Sequence, residues 1–175
     1  VIPTPFYRYP FEFTVGFRQT FPLHLFAYFL CFMSVWVGNF NLGIFALLLS
    51  ILLCCQYYGE PENSYYVWIF AFTPQAFIWH KLKIAFAYAN LVAAPISLSL
   101  LFCFPANFLL VLGLQLLAIV YLVAVILAKY AVFPHRINIA QAILLTISFA
   151  FPPFLLGVIP FFYRKSIHQL KANLS

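Results

Sequence analysis

Long apolar runs, separated by short polar segments, dominate the pattern of hydrophobic and polar positions along this chain. A helix needs roughly 20 apolar residues to cross about 30 Å of hydrocarbon, and the runs have about that length. They cover residues 21–37, 40–58, 84–104, 106–128 and 138–163. The pattern therefore predicts four helical spans and a fifth apolar stretch.

Two connections between these runs are very short. The letters "GNFN" separate the first two runs, and "FPAN" separates the next two. Connections of this length join antiparallel neighbours in helical proteins. We therefore expect a first helical hairpin over residues 21–58 and a second over residues 84–130.

Residues 1–20 form an aromatic-rich segment that leads into the first run. Apolar and polar positions alternate from residue 7 to residue 18, which is the period of a strand. The same segment also places four aromatic side chains on one helical face, namely Phe6, Tyr9, Phe13 and Phe17. Because a lone strand against lipid would leave backbone groups unsatisfied, we favour an interfacial helix over a strand.

The connection over residues 59–83 begins with the polar letters "GEPEN" and continues with an apolar run that Pro74 interrupts. A threonine hydroxyl can cap free backbone donors and proline fits the first helical position, so Thr73 and Pro74 predict a helix start. This helix would follow the membrane surface and continue directly into the third span. The aromatic letters "YYVW" before it would lie at the headgroups, and a re-entrant path is the alternative.

The fifth stretch, residues 138–163, carries Pro152 and Pro153 at its middle. Each proline removes a backbone donor and clashes with the preceding turn, so the pair predicts a hinge or a re-entrant turn. In the first arrangement a kinked helix crosses the membrane once. In the second the chain turns back, and the basic tail, residues 164–175, returns to its original side.

Composition decides the fold class. Hydrophobic residues make up 66% of the 175 positions and charged residues only 7%, more apolar surface than a soluble core of this size could bury. The prediction is an all-α, polytopic helical protein of the cell membrane, with four to five transmembrane helices in a single membrane domain over residues 1–175. Because the sequence begins without methionine or a signal pattern, we expect it to be part of a longer chain.

The charge pattern predicts the orientation. Nine Lys and Arg against three acids give a net charge of +6, but these cations flank apolar runs, so we expect lipid rather than nucleic acid as the partner. If the first four spans alternate, six cations share one side: Arg8, Arg18, Lys81, Lys83, Lys129 and Arg136. Lys and Arg favour the cytoplasmic side, which places residues 57–83 there.

Polar side chains inside the predicted spans are candidates for function, because burying them in lipid is costly. They are His24, Gln56, Asn90, Gln115 and Gln141. We expect Asn90, Gln115 and Gln141 to form hydrogen bonds between helices or, alternatively, to line a pathway. His24 lies near the start of its span, where it could reach the headgroups in a structural role. No acid lies in any span, which disfavours proton-coupled transport.

Motifs of catalysis and metal binding are missing from the sequence. It contains no HExxH or HxxxH box, no GxSxG motif and no phosphate-binding glycine loop. We therefore expect no catalytic residue, no metal and no cofactor. The four cysteines lie in apolar runs without metal-binding spacing, and we interpret them as buried hydrophobes.

The connection before the third span carries two acids, a proline and two lysines: Glu60, Glu62, Pro74, Lys81 and Lys83. Preceded by an amphipathic lead-in and a tight hairpin, this arrangement resembles the type-2 ATP-binding-cassette (ABC) permease family. The resemblance covers about residues 6–163. The family also has a re-entrant element near its last span, and the segment with the proline pair resembles this element. The family has six spans, more than are predicted here.

The resemblance implies an integral membrane permease that moves a substrate in an ATP-driven transporter. A separate ATPase would supply the catalysis and would contact the connection, with Glu60, Glu62, Lys81 and Lys83 as partner-binding residues. The permease would form a homo- or heterodimer. Two alternatives stay open: the glutamates are a solvated loop that keeps the chain out of the bilayer, or the chain is a non-transporting anchor or scaffold subunit of a larger complex.

Overall fold

The computed structural model of the protein describes Phe6, residues 11–59 and residues 73–174. Every regular element in these residues is helical, which confirms the predicted all-α class for this part of the chain. The α-helices, α1 to α6 in chain order, are Phe11–Val37, Phe40–Gln56, Pro74–Cys103, Phe108–Tyr130, Ile139–Ala150 and Leu155–Leu174.

Among the described residues, three helices are long and apolar enough to cross a membrane: Glu12–Val37 within α1, Pro74–Cys103, and Pro105–Tyr130, which joins a short 3-10 turn to α4. Helices α2 and α5 are apolar but have only 17 and 12 residues. At 1.5 Å per residue they extend about 26 Å and about 18 Å, against about 30 Å of hydrocarbon. Of the four to five predicted spans, three therefore meet the length requirement.

Helix α1 begins in the lead-in and continues into the first apolar run without a break. Phe6 packs against this helix, since its ring meets Phe13 and Phe17 edge to face at centroid distances of 4.8 and 5.1 Å. Residues 11–20 of the lead-in are therefore helical, as the sequence predicts, and Phe6 lies outside the helix. Tyr9 and Arg8 lie outside the described residues.

Helices α1 and α2 are joined by a tight turn at Gly38 and Asn39. Gly38 has a φ of 70°, a conformation that glycine adopts without steric cost. The Asn39 side chain accepts a hydrogen bond of 3.3 Å from the Leu42 N–H and so caps α2. This turn makes the two helices antiparallel, and they pack closely against each other.

Helix α3 begins where the sequence predicts a helix start. Thr73 Oγ1 accepts a hydrogen bond of 3.3 Å from the Ala76 N–H, and Pro74 occupies the first helical position. The helix then passes through Lys81 and Lys83 and ends at Cys103, a length of 30 residues. The end of the connection and the third apolar run are therefore one helix.

The chain folds as two compact units, Val1–Tyr57 with Ile84–Ile119 and Tyr58–Lys83 with Val120–Ser175. Small side chains are frequent in the core of the first unit, which contains Ala27, Cys31, Ala46, Leu47, Ile51, Ala93, Ile96, Leu100 and Val111. A Cβ on Gly43 would overlap the Leu100 side chain, so the glycine lets α2 and α3 approach closely with Leu100 in this position. Small residues of this kind let helices approach closely in membranes.

In the second unit the last turns of α4 are enclosed on every side. Their buried residues are Leu122, Ala124, Val125, Ile126, Leu127, Ala128, Lys129 and Tyr130. The start of α4, by contrast, leaves Leu109 81% exposed. An apolar surface of this kind suits contact with lipid, whereas a helix that is buried all round lies inside a bundle.

The proline pair separates α5 from α6. Phe151 leaves the helical conformation, with φ of −129° and ψ of 87°, and Pro152–Phe154 forms a 3-10 turn. The predicted fifth stretch is therefore two helices, and the break coincides with Pro152 and Pro153. Helix α5, with 12 residues, is too short to cross the bilayer alone. Helix α6 has 20 residues but carries Arg164, Lys165 and Lys171, and it is not among the helices apolar enough to cross.

The cysteines differ in exposure. Cys31, Cys54 and Cys55 are buried, as the sequence predicts, whereas Cys103 is exposed at the last residue of α3. The expectation of four buried thiols is therefore wrong for Cys103, because the helix ends there and leaves its side chain uncovered.

Candidate functional site: a polar network at the start of α1

A chain of hydrogen bonds connects α1 with the C-terminal end of α2. Tyr57 Oη lies 2.7 Å from Thr20 Oγ1 and 2.6 Å from His24 Nε2. Thr20 Oγ1 in turn donates to the Gly16 carbonyl oxygen at 2.9 Å. All three side chains are buried, and His24 is completely enclosed.

The number of available protons determines which atom donates in each of these hydrogen bonds. Thr20 has one hydroxyl proton and donates it to the Gly16 carbonyl, which can only accept. Thr20 must therefore accept from the Tyr57 hydroxyl, and Tyr57, whose proton is then used, must accept from His24 Nε2–H. The His24 Nδ1 atom is buried without a hydrogen-bond partner. This fits a neutral imidazole protonated at Nε2, because a buried unpaired charged N–H would cost more than a bare nitrogen.

Aromatic rings surround the network. Phe17 stacks on His24 and Phe13 meets Tyr57 edge to face, each at a centroid distance of 5.1 Å. Gly16 lies against the Tyr57 ring, where a Cβ would overlap ring carbons. The expectation that His24 reaches the headgroups is therefore wrong, since its ring is 0% exposed and is bonded inside the protein.

A second polar contact joins α3 and α4. Gln115 Nε2 donates to Asn90 Oδ1 at 3.0 Å, and Asn90 Nδ2 donates to the Phe86 carbonyl at 2.8 Å. The structure thus brings two of the predicted polar residues together across a helix interface. The contact satisfies amide groups that would otherwise face apolar surroundings.

We expect Asn90 and Gln115 to be energetically coupled. In a double-mutant cycle of Asn90→Leu and Gln115→Leu, the coupling free energy should be about 0.6 kcal/mol, the average for hydrogen bonds between membrane helices. Unfolding in mixed micelles measures it. As a control, Asn90→Leu with Gln75→Leu should be additive, because exposed Gln75 lies four helical turns away on α3. Additivity in both cycles would contradict the contact.

Gln141 has a local role instead of an interhelical bond. Asn138 Oδ1 accepts a hydrogen bond from the Gln141 N–H, and Gln141 Oε1 accepts one from the Asn138 N–H. This capping box fixes the start of α5. The buried Gln141 Nε2 has no hydrogen-bond partner.

Two lysines are buried among aromatic rings in the second unit. Lys81 Nζ lies 5.6 Å from the centre of the Phe77 ring, and Lys129 Nζ lies 5.7 Å from that of Tyr58 and 5.6 Å from that of Tyr130. The Phe77 and Tyr130 rings meet edge to face at 5.4 Å and link the lysines into one cluster. Cation–π attraction is strongest where water is displaced, so these contacts help to hold both charges below the surface.

The residues implicated in partner binding are distributed differently. Lys83 is exposed, whereas Lys81 is only 6% exposed. Glu60, Glu62 and the aromatic letters "YYVW" lie outside the described residues. Lys83 is therefore the described member of this set that a partner can reach directly.

Sequence reasoning missed Thr20 and Tyr57. Tyr57 lies 33 residues from His24 along the chain, and no local spacing connects the two. A tyrosine at the end of an apolar run is typical of an interfacial anchor. The close approach of Gly16 was the one available signal, but a glycine in a helix has several explanations.

The arrangement of the polar network is structural in character. Each hydroxyl proton is committed to a neighbour inside the protein. Within the described ranges, no group of three His, Cys, Asp or Glu side chains is arranged to hold a metal ion.

Comparisons of the chain with protein-family models, curated proteins and solved structures found no match.

Proposed function

We propose that this chain is a multi-pass protein of the cell membrane and the permease component of an ATP-driven transporter with a separate ATPase. The observation that supports this function is the unbroken helix α3. Its 30 residues extend about 45 Å, roughly 15 Å more than the hydrocarbon layer. About ten residues, including Lys81 and Lys83, can therefore extend beyond the lipid.

The residues before Ile84 and the third apolar run belong to one helix, with no loop between them, and Pro95 lies within this helix. A partner that binds the part before Ile84 would therefore contact the same helix that enters the bilayer. In the type-2 ABC permease family, the cytoplasmic connection is the part that contacts the ATPase. Lys83 offers an exposed positive charge for that contact, whereas the buried Lys81 packs over the Phe77 ring one turn earlier on the same helix.

The topology that accompanies this proposal has α1, α2, α3 and α4 as four spans. Helix α2 would cross despite its length of about 26 Å, because a short helix is accommodated by local thinning of the bilayer. Helices α5 and α6 would then supply either a kinked fifth span or a re-entrant element. The cations between the spans would lie in the cytoplasm, and two such bundles would pair.

Co-purification tests the permease function. We expect the wild-type protein, solubilised in mild detergent, to retain a partner that hydrolyses ATP. The triple variant Glu60→Lys, Glu62→Lys and Lys83→Glu should lower the co-purified ATPase activity at least about tenfold, because charge reversal creates like-charge contacts across an interface. Lys171→Glu is the control. It reverses an exposed cation in the last turn of α6 and should retain the activity.

A non-transporting anchor or scaffold subunit is the second candidate. It is favoured by the pairing of Asn90 with Gln115 and of His24 with Tyr57, which uses these polar groups in helix contacts. Stable co-purification of partners without ATPase activity would support the scaffold and contradict the permease. An ATPase activity that is unaffected by the triple variant would contradict the proposed contact.

A further inference from the structure

One face of α6 forms an open groove with a volume of about 770 Å³. Of the residues that the structure describes, Gly157, Pro160 and Phe161 line one end of it, and Arg164, Lys165, His168 and Gln169 line the other. All seven lie on α6, and residues 157 to 169 rise about 18 Å along its axis. The groove thus changes from apolar to cationic along the helix.

The apolar end is open to a ligand. Phe161 is 54% exposed, and the neighbouring Leu156 is 82% exposed. A Cβ placed on Gly157 would meet no atom within 4 Å, so the backbone there is accessible. A hydrocarbon chain could lie along this part of the helix in contact with both the backbone and the Phe161 ring.

The cationic end suits an anionic ligand. The sequence has nine Lys and Arg but only three acids, and none of these acids lies in α6. A guanidinium binds a phosphate through two parallel hydrogen bonds, and an adjacent lysine adds a second charge.

We propose that this groove binds an anionic phospholipid. Its phosphate is held by Arg164, Lys165 and His168, and one acyl chain lies along Gly157, Pro160 and Phe161. A lipid fits both ends, whereas a free phosphate would use only the cationic end. Basic pockets beside membrane helices bind anionic headgroups in this way.

Native mass spectrometry of the purified full chain, titrated with dioleoyl phosphatidylglycerol, tests the proposal. Arg164→Gln with Lys165→Gln should weaken binding about tenfold to thirtyfold. The control pair, Arg18→Gln with Lys171→Gln, removes the same charge from exposed positions outside the groove lining and should change binding less than about twofold. An unchanged elution volume establishes that each variant is folded.

A separate variant tests the apolar end of the groove. Gly157→Leu should weaken phosphatidylglycerol binding by filling the groove. Gly113→Leu, at another open helical glycine, should leave binding unchanged. Three results would overturn the proposal: equal weakening by both charge pairs, equal affinity for dioleoyl phosphatidylcholine, or complete displacement of the lipid by inorganic phosphate. The last would assign the site to free phosphate.

Discussion

Replacing Gly16 with alanine is expected to lower the free energy of unfolding by about 2 to 4 kcal/mol. The added methyl group would overlap carbons of the Tyr57 ring. That ring cannot move aside freely, because its hydroxyl is bonded to Thr20 and His24. Alanine also favours the helix by up to about 1 kcal/mol over glycine, but the overlap and the lost hydrogen bonds outweigh this gain.

Gly113→Ala is the matched control for this prediction. Gly113 also lies in a helix, α4, but a Cβ there meets no atom within 4 Å. The substitution should therefore leave stability unchanged or raise it by up to about 1 kcal/mol. Unfolding of both variants in mixed micelles provides the comparison. Equal stabilities for the two variants would show that Gly16 does not contact Tyr57.

Replacing Tyr57 with phenylalanine is expected to cost about 2 to 4 kcal/mol of stability. The change keeps the aromatic ring and its contact with Phe13 but removes the hydroxyl. His24 Nε2–H and the Thr20 hydroxyl oxygen would each lose a buried partner, and an unsatisfied buried group costs about 1 to 3 kcal/mol. Unfolding in mixed micelles again measures the effect.

Two further variants make this test specific. Tyr163→Phe removes a hydroxyl from a half-buried tyrosine on α6, outside the network, and should change stability by less than about 0.5 kcal/mol. In a His24→Leu background, Tyr57→Phe should cost less than in the wild type, because only Thr20 then loses a partner. If the cost is the same in both backgrounds, the His24–Tyr57 bond does not contribute to stability.

Local signals in the sequence were sufficient for several elements. The Thr73–Pro74 pair predicted the start of α3 because a cap and a fixed φ act within one turn. The adjacent prolines likewise predicted the break between α5 and α6, since each removes a backbone donor. The all-α class followed from the apolar composition together with the length of the apolar runs. Each of these features depends either on a few neighbouring residues or on the hydrophobicity of the whole chain.

Features that depend on distant residues could not be predicted in the same way. The Tyr58 ring beside the buried Lys129 comes from a distant segment, which no sequence period connects to this lysine. The partner of Gln115 lies 25 residues away, so the sequence indicated that it needs a hydrogen bond but not with which residue. The number of membrane spans could not be predicted from the sequence either, because length and polarity alone do not distinguish a short helix that crosses the membrane from a helix buried inside the protein.

The exposed Cys103 gives the natural protein a built-in probe of orientation. The other three thiols are buried, so a membrane-impermeant maleimide should attach at Cys103, at the opposite end of α3 from Thr73. Labelling in intact cells, compared with labelling after lysis, would report on which face of the membrane this helix ends. The orientation of α3 can therefore be determined without introducing a cysteine or disturbing a packed residue.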